Sequence, residues 1–141
     1  ISGELAGVRA LVVDDEDDAR ELLKLTLTQY GADVVAAGSA AEAYELITTS
    51  PTGDRPDVMV TDLGMPGEDG YSLIRRVREW ERERECGAYL PAVALTAYGR
   101  TEDRMRALGA GFQMHVAKPV EPTELAVVIT SLINRSNGGE N

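Results

Sequence analysis

Leu11-Val12-Val13-Asp14-Asp15 is an apolar run that stops on two carboxylates, and the residues after it change period. Ala19, Leu22, Leu23, Leu27 and Tyr30 fall on one face of a helix expected over residues 17–30. A buried strand feeding an amphipathic helix is the repeating unit of a parallel sheet. The alternation runs through the whole chain, with strands expected at 9–13, 33–36, 58–61, 92–95 and 114–116. Most of these strands are continuous Val/Ala/Leu runs, as required when helices cover both faces. A second helix opens on the capping box Ser39-Ala40-Ala41-Glu42 and reaches about residue 48. Further helices are expected at 71–83 and 100–108, and from Glu121-Pro122 to about residue 134, with Pro at the first helical position. Residues 51–56 read as a loop, and 135–141 as a flexible polar tail. Right-handed crossovers then give an α/β fold with a doubly wound five-stranded parallel sheet. One domain spans 1–141, its core at about 8–134.

Bulk composition narrows the function. With 24 acidic and 14 basic residues the 141-residue chain carries a formal charge of −10. Direct contact with nucleic acid or with an anionic membrane is not expected, because phosphate contacts need clustered Lys and Arg. A single cysteine, Cys86, permits no internal disulfide and suits a reducing, cytoplasmic location. It is a poor nucleophile candidate, since the single His, His115, is distant in sequence and acids surround the thiol. No apolar run approaches a membrane span, and the start does not resemble a signal peptide. Beginning at Ile1, the chain reads as a piece cut from something longer, and that parent could itself be membrane-anchored.

The strand ends carry the chemistry. Asp14 and Asp15 follow the first strand, Asp62 the third, Thr96 the fourth and Lys118 the fifth. The carboxyl ends of parallel strands share one edge, where ligands bind. Three carboxylates, a hydroxyl and an ammonium gathered there suit a divalent cation and a phosphoryl group. Asp62 is the candidate nucleophile, since a carboxylate can hold a phosphoryl group as an acyl phosphate. Asp14 and Asp15 can hold Mg²⁺, a hard ion that prefers oxygen ligands. Lys118 supplies fixed positive charge and Thr96 a hydroxyl donor. The Gly/Pro-rich stretch after Asp62 can turn a backbone carbonyl, that of Gly64, toward the metal. Singly, Asp14 and Asp15 would read as caps of the first helix, and Asp62 as a loop residue.

Val12-Val13-Asp14-Asp15-Glu16, Asp62-Leu63-Gly64-Met65-Pro66 with Asp69-Gly70, Leu95-Thr96-Ala97 and Lys118-Pro119 resemble the receiver domain of two-component response regulators. The resemblance covers about residues 8–134. It implies a flavodoxin-like fold with strand order 2-1-3-4-5. It implies that Asp62 accepts a phosphoryl group from a histidine kinase or histidine phosphotransfer domain, with Mg²⁺, or Mn²⁺ in its place, held by Asp15, Asp62 and the carbonyl of Gly64. Asp14 would act through metal-bound water, and Lys118 would pair with Asp62 before phosphorylation and with the phosphoryl group after. A cis peptide between Lys118 and Pro119 is also implied. In the implied switch Thr96 moves toward the phosphoryl group and vacates space beside the fifth strand, at a position usually aromatic. Here that position is His115, whose imidazole can titrate. Gly64 and Tyr98 occupy the two positions that tune the lifetime of the acyl phosphate, Gly64 opening space for water and Tyr98 shielding it.

Several features have structural readings. The mixed-sign run of residues 75–85 reads as a solvated helix face with Arg75 and Glu79 paired at i,i+4. Trp80 anchors that helix end. Leu22 and Leu25 lie near the active-site end of the first helix, where Leu25 falls off the core stripe and offers a partner contact. Val127 marks a candidate face for a weak homodimer. The leading expectation is a phospho-accepting switch that is not an enzyme acting on free substrates, excised from a hybrid sensor histidine kinase. Alternatives are a stand-alone or truncated response regulator and a phosphorylation-independent docking module. An aspartyl-phosphate phosphatase would need a second acid where Gly64 stands. A flavin carrier would need a phosphate loop where the acids at 14–18 stand.

Overall fold

The computed structural model describes residues 3–84, 89–97 and 101–138. Cys86, Tyr98 and Arg100 lie outside the described residues. Five strands, β1 (Arg9–Val13), β2 (Asp33–Ala37), β3 (Val58–Asp62), β4 (Ala92–Ala97) and β5 (Met114–Lys118), alternate with five helices. The helices are α1 (Asp17–Gln29), α2 (Ala40–Thr49), α3 (Gly70–Glu83), α4 (Thr101–Ala110) and α5 (Pro122–Gly138). All strand pairs are parallel, in the order β2-β1-β3-β4-β5. The chain therefore reverses direction across the sheet between β1 and β3, which opens a crevice at their carboxyl ends.

Continuous apolar strands serve two cores at once. Leu11, Val13, Met59, Ala92 and Ala94 face a layer built with Ala43 and Ile47 of α2 and Leu73, Ile74 and Val77 of α3. Ala10, Val12, Val58, Val60, Val93 and Leu95 face the opposite layer, with Leu23 and Leu27 of α1 and Leu125, Ile129 and Leu132 of α5. Each fully buried Val, Leu or Ile contributes roughly 1.5–3 kcal/mol of transfer free energy. Double coverage accounts for the absence of in-out alternation in the central strands β1, β3 and β4, whereas the edge strand β2 alternates.

Helix starts follow local chemistry. Ser39 Oγ accepts from the Glu42 amide at 3.1 Å, and Glu42 Oε1 reaches back to the amide of Gly38 at 2.8 Å, one residue earlier than a standard box. Asp69 Oδ1 accepts from Ser72 N at 2.9 Å and starts α3. Glu121 accepts from the amides of Thr123 and Glu124 and starts α5.

Some boundaries differ from the sequence expectation. β3, β4 and β5 each run one or two residues further, so Asp62 and Lys118 close ladders, Thr96 lies one pair before the end of its own, and none of the three is a loop residue. α5 runs on to Gly138, past the expected end at Asn134 and into the expected tail. No Pro interrupts that stretch, so no backbone donor is lost to its i→i−4 ladder. Residues 139–141 lie outside the described residues. The loop at 51–56 contains a single 3₁₀ turn, Thr52–Asp54.

The mixed-sign helix face also needs correction. Arg75 and Glu79 are not an ion pair among the described residues; instead Arg76 pairs with Glu68 at 2.6 Å and Arg78 with Glu81 at 2.8 Å. Arg78 and Glu81 are both buried. Their turn of α3 faces the end of α4, so Arg78 donates to the carbonyl of Gly111 and to Gln113 Oε1. Trp80 is an anchor as expected, nearly buried and covered by the guanidinium of Arg55 at 4.9 Å from the ring centroid.

Candidate functional site

The carboxyl edge of the sheet gathers the expected residues. Asp14 follows β1 and is buried to 1% exposure, with Asp15 beside it half-buried. Asp62 closes β3 opposite Leu95, Thr96 pairs with Ala117, and Lys118 closes β5 opposite Ala97. Ladder pairing thus fixes three side chains from three strands. Asp14, Asp15 and Asp62 each offer a carboxylate oxygen within 4.8 Å of the others. Lys118 Nζ donates to Asp62 Oδ1 at 2.7 Å. The Lys118–Pro119 peptide is cis, as the resemblance implied.

A tight backbone return holds Asp62. The loop at 63–69 comes back so that Gly70 N donates to the carbonyl of Leu63 at 3.1 Å. A Cβ on Gly70 would lie 2.5 Å from the carbonyl oxygen of Asp62, closer than any real contact. Only glycine fits there. Thr61 Oγ1 donates to the same carbonyl at 2.9 Å. Gly64 lines the groove beside Asp62, and a Cβ on it would meet nothing within 4 Å. Open space therefore flanks the carboxylate on that side.

The electrostatics are those of a site short of positive charge. Burial pushes the Asp14 carboxyl above its ordinary 3.8; the Glu16 amide, which donates to Asp14 Oδ1 at 2.9 Å, pulls it down, and the negative charge of Asp62 pushes it further up. Asp14 thus also fills its helix-start role, while α1 has no side-chain cap at Glu16. Three carboxylates facing one ammonium leave net negative charge. A hard divalent cation with oxygen ligands fits that donor set.

Four buried polar atoms lack partners among the described residues, and two of them, Thr96 Oγ1 and His115 Nδ1, lie on β4 and β5 beside the site. A buried hydroxyl without a partner costs about 1–3 kcal/mol, so it is poised to accept a new one. Burial lowers the His115 pKa below 6.5, Arg104 lowers it further, and Glu124 opposes both. His115 is therefore an uncharged ring at neutral pH. It sits across from Ala94, on the strand beside Thr96.

Leu25 on α1 and Val127 on α5 are exposed, as expected for candidate contact positions; Leu22, expected on the core face, is exposed as well, because Leu23 and Leu27 are the residues of α1 that the sheet buries. Tyr98 lies outside the described residues. Sequence reading gave no role to Tyr71 or Arg106, yet both line the groove with Asp62 and Lys118. Only the position of Tyr71 directly after the Asp69-Gly70 turn hinted at the first, and nothing in the spacing pointed to the second.

The chain is similar to known proteins over most of its length. The family model for the response regulator receiver domain matches residues 10–130. An uncharacterized 14.6 kDa protein of Leptolyngbya boryana, from the sodA1 3' region, is 46% identical over 121 residues, covering 86% of each chain. Hybrid signal transduction histidine kinase D of Dictyostelium discoideum is 35% identical over 136 residues, which cover 94% of this chain and 9% of that protein. The crystal structure of a response regulator receiver domain protein from Clostridium thermocellum superposes with a TM-score of 0.79 at 26% identity, covering 92% of this chain and 97% of that one.

Proposed function

The chain belongs to the response regulator receiver domain family of two-component signalling, and on that premise we propose that it is a phospho-accepting switch. The observation that carries this reading is the 2.7 Å contact from Lys118 Nζ to Asp62 Oδ1 inside a three-carboxylate cluster. An oxygen of Asp62 attacks phosphorus, the bond from phosphorus to the donor's imidazole nitrogen breaks, and the imidazole leaves with the electron pair. Lys118 then exchanges the Asp62 oxygen for a phosphoryl oxygen, keeping its charge paired. The unpartnered Thr96 hydroxyl donates to another phosphoryl oxygen, and the movement opens room for the neutral His115 ring.

Asp15, Asp62 and the carbonyl of Gly64, with Asp14 through water, would hold Mg²⁺ or Mn²⁺, which supplies charge to offset the phosphoryl oxygens. Gly64 leaves the acyl phosphate open to water, and Tyr98 would shield it. The chain acts on its own Asp62 and turns over no free metabolite.

The donor is a histidine kinase or histidine phosphotransfer domain, met through the α1 face that exposes Leu22 and Leu25. Val127 on α5 would serve weak self-association. Among the described residues no helix is long and apolar enough to cross a membrane, and a cytoplasmic location suits the reading. Identity of 35% to a hybrid kinase supports a parent of that kind. A stand-alone regulator is the second reading, favoured by the 86% mutual coverage with a 14.6 kDa protein.

The test is transfer from a phosphorylated histidine phosphotransfer domain. The expected product is a phosphoryl group on this chain that is released by hydroxylamine, as an acyl phosphate must be. A stable adduct that resists hydroxylamine, or no adduct on a folded chain, contradicts the proposal.

A further inference from the structure

The groove around Asp62 has a second cation. Arg106 of α4 lines it together with Asp15, Asp62, Asp103 and Lys118. Its guanidinium carbon lies 3.9 Å from the centroid of the Tyr71 ring. That ring is nearly buried at the start of α3, directly after the Gly70 turn that holds Asp62, whereas Arg106 is exposed. Contact with a ring face uses the face of the guanidinium and none of its N–H donors. Among the described residues no ion pair engages Arg106. Its fork of donors is thus held at the rim and left without an anion.

The chemistry of the site asks for such a group. A phosphodonor reaches the groove as an anion, against a chain of formal charge −10 and acids at Asp15, Glu16, Asp62, Asp69 and Asp103 along the lining. Lys118, the other basic residue lining the groove among those described, is committed to Asp62. A guanidinium at the rim offsets the repulsion before transfer and can take two phosphoryl oxygens at once.

We infer that Arg106 is the donor-binding residue of this receiver: seated on the Tyr71 ring, it captures the phosphoryl oxygens of the incoming donor and delivers the phosphorus to Asp62. The inference rests on the phospho-acceptor reading above. In the transfer from acetyl phosphate the Asp62 oxygen–phosphorus bond forms, the acetyl oxygen–phosphorus bond breaks, and acetate leaves with the electron pair; Arg106 exchanges no proton. Tyr71 is a positioning residue that acts through Arg106. The competing role is a plain staple between α3 and α4, which would affect stability and leave donor capture untouched.

Phosphorylation kinetics on the full chain separate the two. In R106A the second-order rate constant with acetyl phosphate should fall about three- to tenfold, the range set by a partly exposed charge contact. Its dependence on ionic strength should weaken, while the hydrolysis rate of the acyl phosphate already formed stays within about twofold of wild type. R106K should recover part of the loss. Y71F, which keeps the ring, should match wild type, and Y71L should lose rate. A parallel arm with phosphoramidate distinguishes donors: a similar loss extends the contact to nitrogen-linked phosphoryl groups, and a loss with acetyl phosphate alone confines it to acyl phosphates. Unchanged rate and unchanged salt dependence in R106A, or a thermal midpoint that falls with no kinetic effect, would overturn the inference. Failure of the wild-type chain to take any phosphoryl group would remove the phospho-acceptor reading itself, a result visible before any Arg106 variant is made.

Discussion

Asp14 and Gly70 show how single residues are bent to the site. Asp14 is a buried acid whose carboxyl is held above its ordinary value of 3.8 by desolvation. A carboxyl raised in the fold contributes stability that is full below its unfolded pKa and is lost as pH rises through the folded one. At neutral pH the ionised group is therefore a cost. Asp14→Asn should raise the thermal midpoint at pH 7 without metal, and the gain should shrink as the pH falls toward 4. The same variant should bind Mg²⁺ more weakly, read as a smaller metal-induced rise in the midpoint. A midpoint that drops at pH 7 would mean that Asp14 is chiefly a helix-start residue. Gly70 makes a steric point: a methyl group there collides with the Asp62 carbonyl. Gly70→Ala should cost about 1–3 kcal/mol in denaturant unfolding and slow phosphorylation as well, since the acceptor's own backbone must shift. Loss of stability with normal phosphorylation would show that the loop gives way elsewhere.

At the scale of elements, the strands and the helices they feed hold opposite ends of the molecule differently. The carboxyl ends of β3, β4 and β5 carry Asp62, Thr96 and Lys118, and the Thr96 hydroxyl has no partner among the described residues. The opposite ends of β4 and β5 are tied down. Arg78 donates to Gly111 O, Glu81 and Gln113, Glu81 accepts from Leu90 N at 2.7 Å, and Gln113 accepts from Ala92 N at 2.8 Å. This network ties the entering ends of β4 and β5 to α3, at the edge of the sheet away from Thr96. Arg78→Ala should leave Glu81 buried without its partner and cost about 3–5 kcal/mol. Equilibrium denaturation checks the figure, and a cost below about 1 kcal/mol would place the pair in water. None of this was legible in the run from Arg75 to Glu85, where alternating charge reads as a solvated face. Period alone cannot show that α4 ends opposite this turn of α3. The strand ends were foreseen one or two residues short for a related reason, because ladder pairing extends to polar residues that carry no apolar signal.

At the scale of the whole molecule, the sequence was legible wherever burial on both faces left a run of apolar residues. Three such runs, β1, β3 and β4, form the centre of the sheet, β2 and β5 flank it as partly exposed edges, and polar residues at the strand ends define the site. Contacts made in space between elements were not legible, and the Tyr71–Arg106 pair is the instructive case: α3 and α4 meet beside the groove although their residues lie far apart in sequence. The molecule that results has a pinned base, a charged rim and three carboxylates facing one ammonium. On the proposed function, Asp62 takes a phosphoryl group in a metal-dependent step. The most direct measurement is intact mass after incubation with phosphoramidate, with and without Mg²⁺, for wild type and Asp62→Asn. A single adduct that needs Mg²⁺ and is absent from the folded variant is the predicted result. A folded wild-type chain that binds Mg²⁺ and gains no adduct, or an Asp62→Asn chain that gains one at the normal rate, would contradict it.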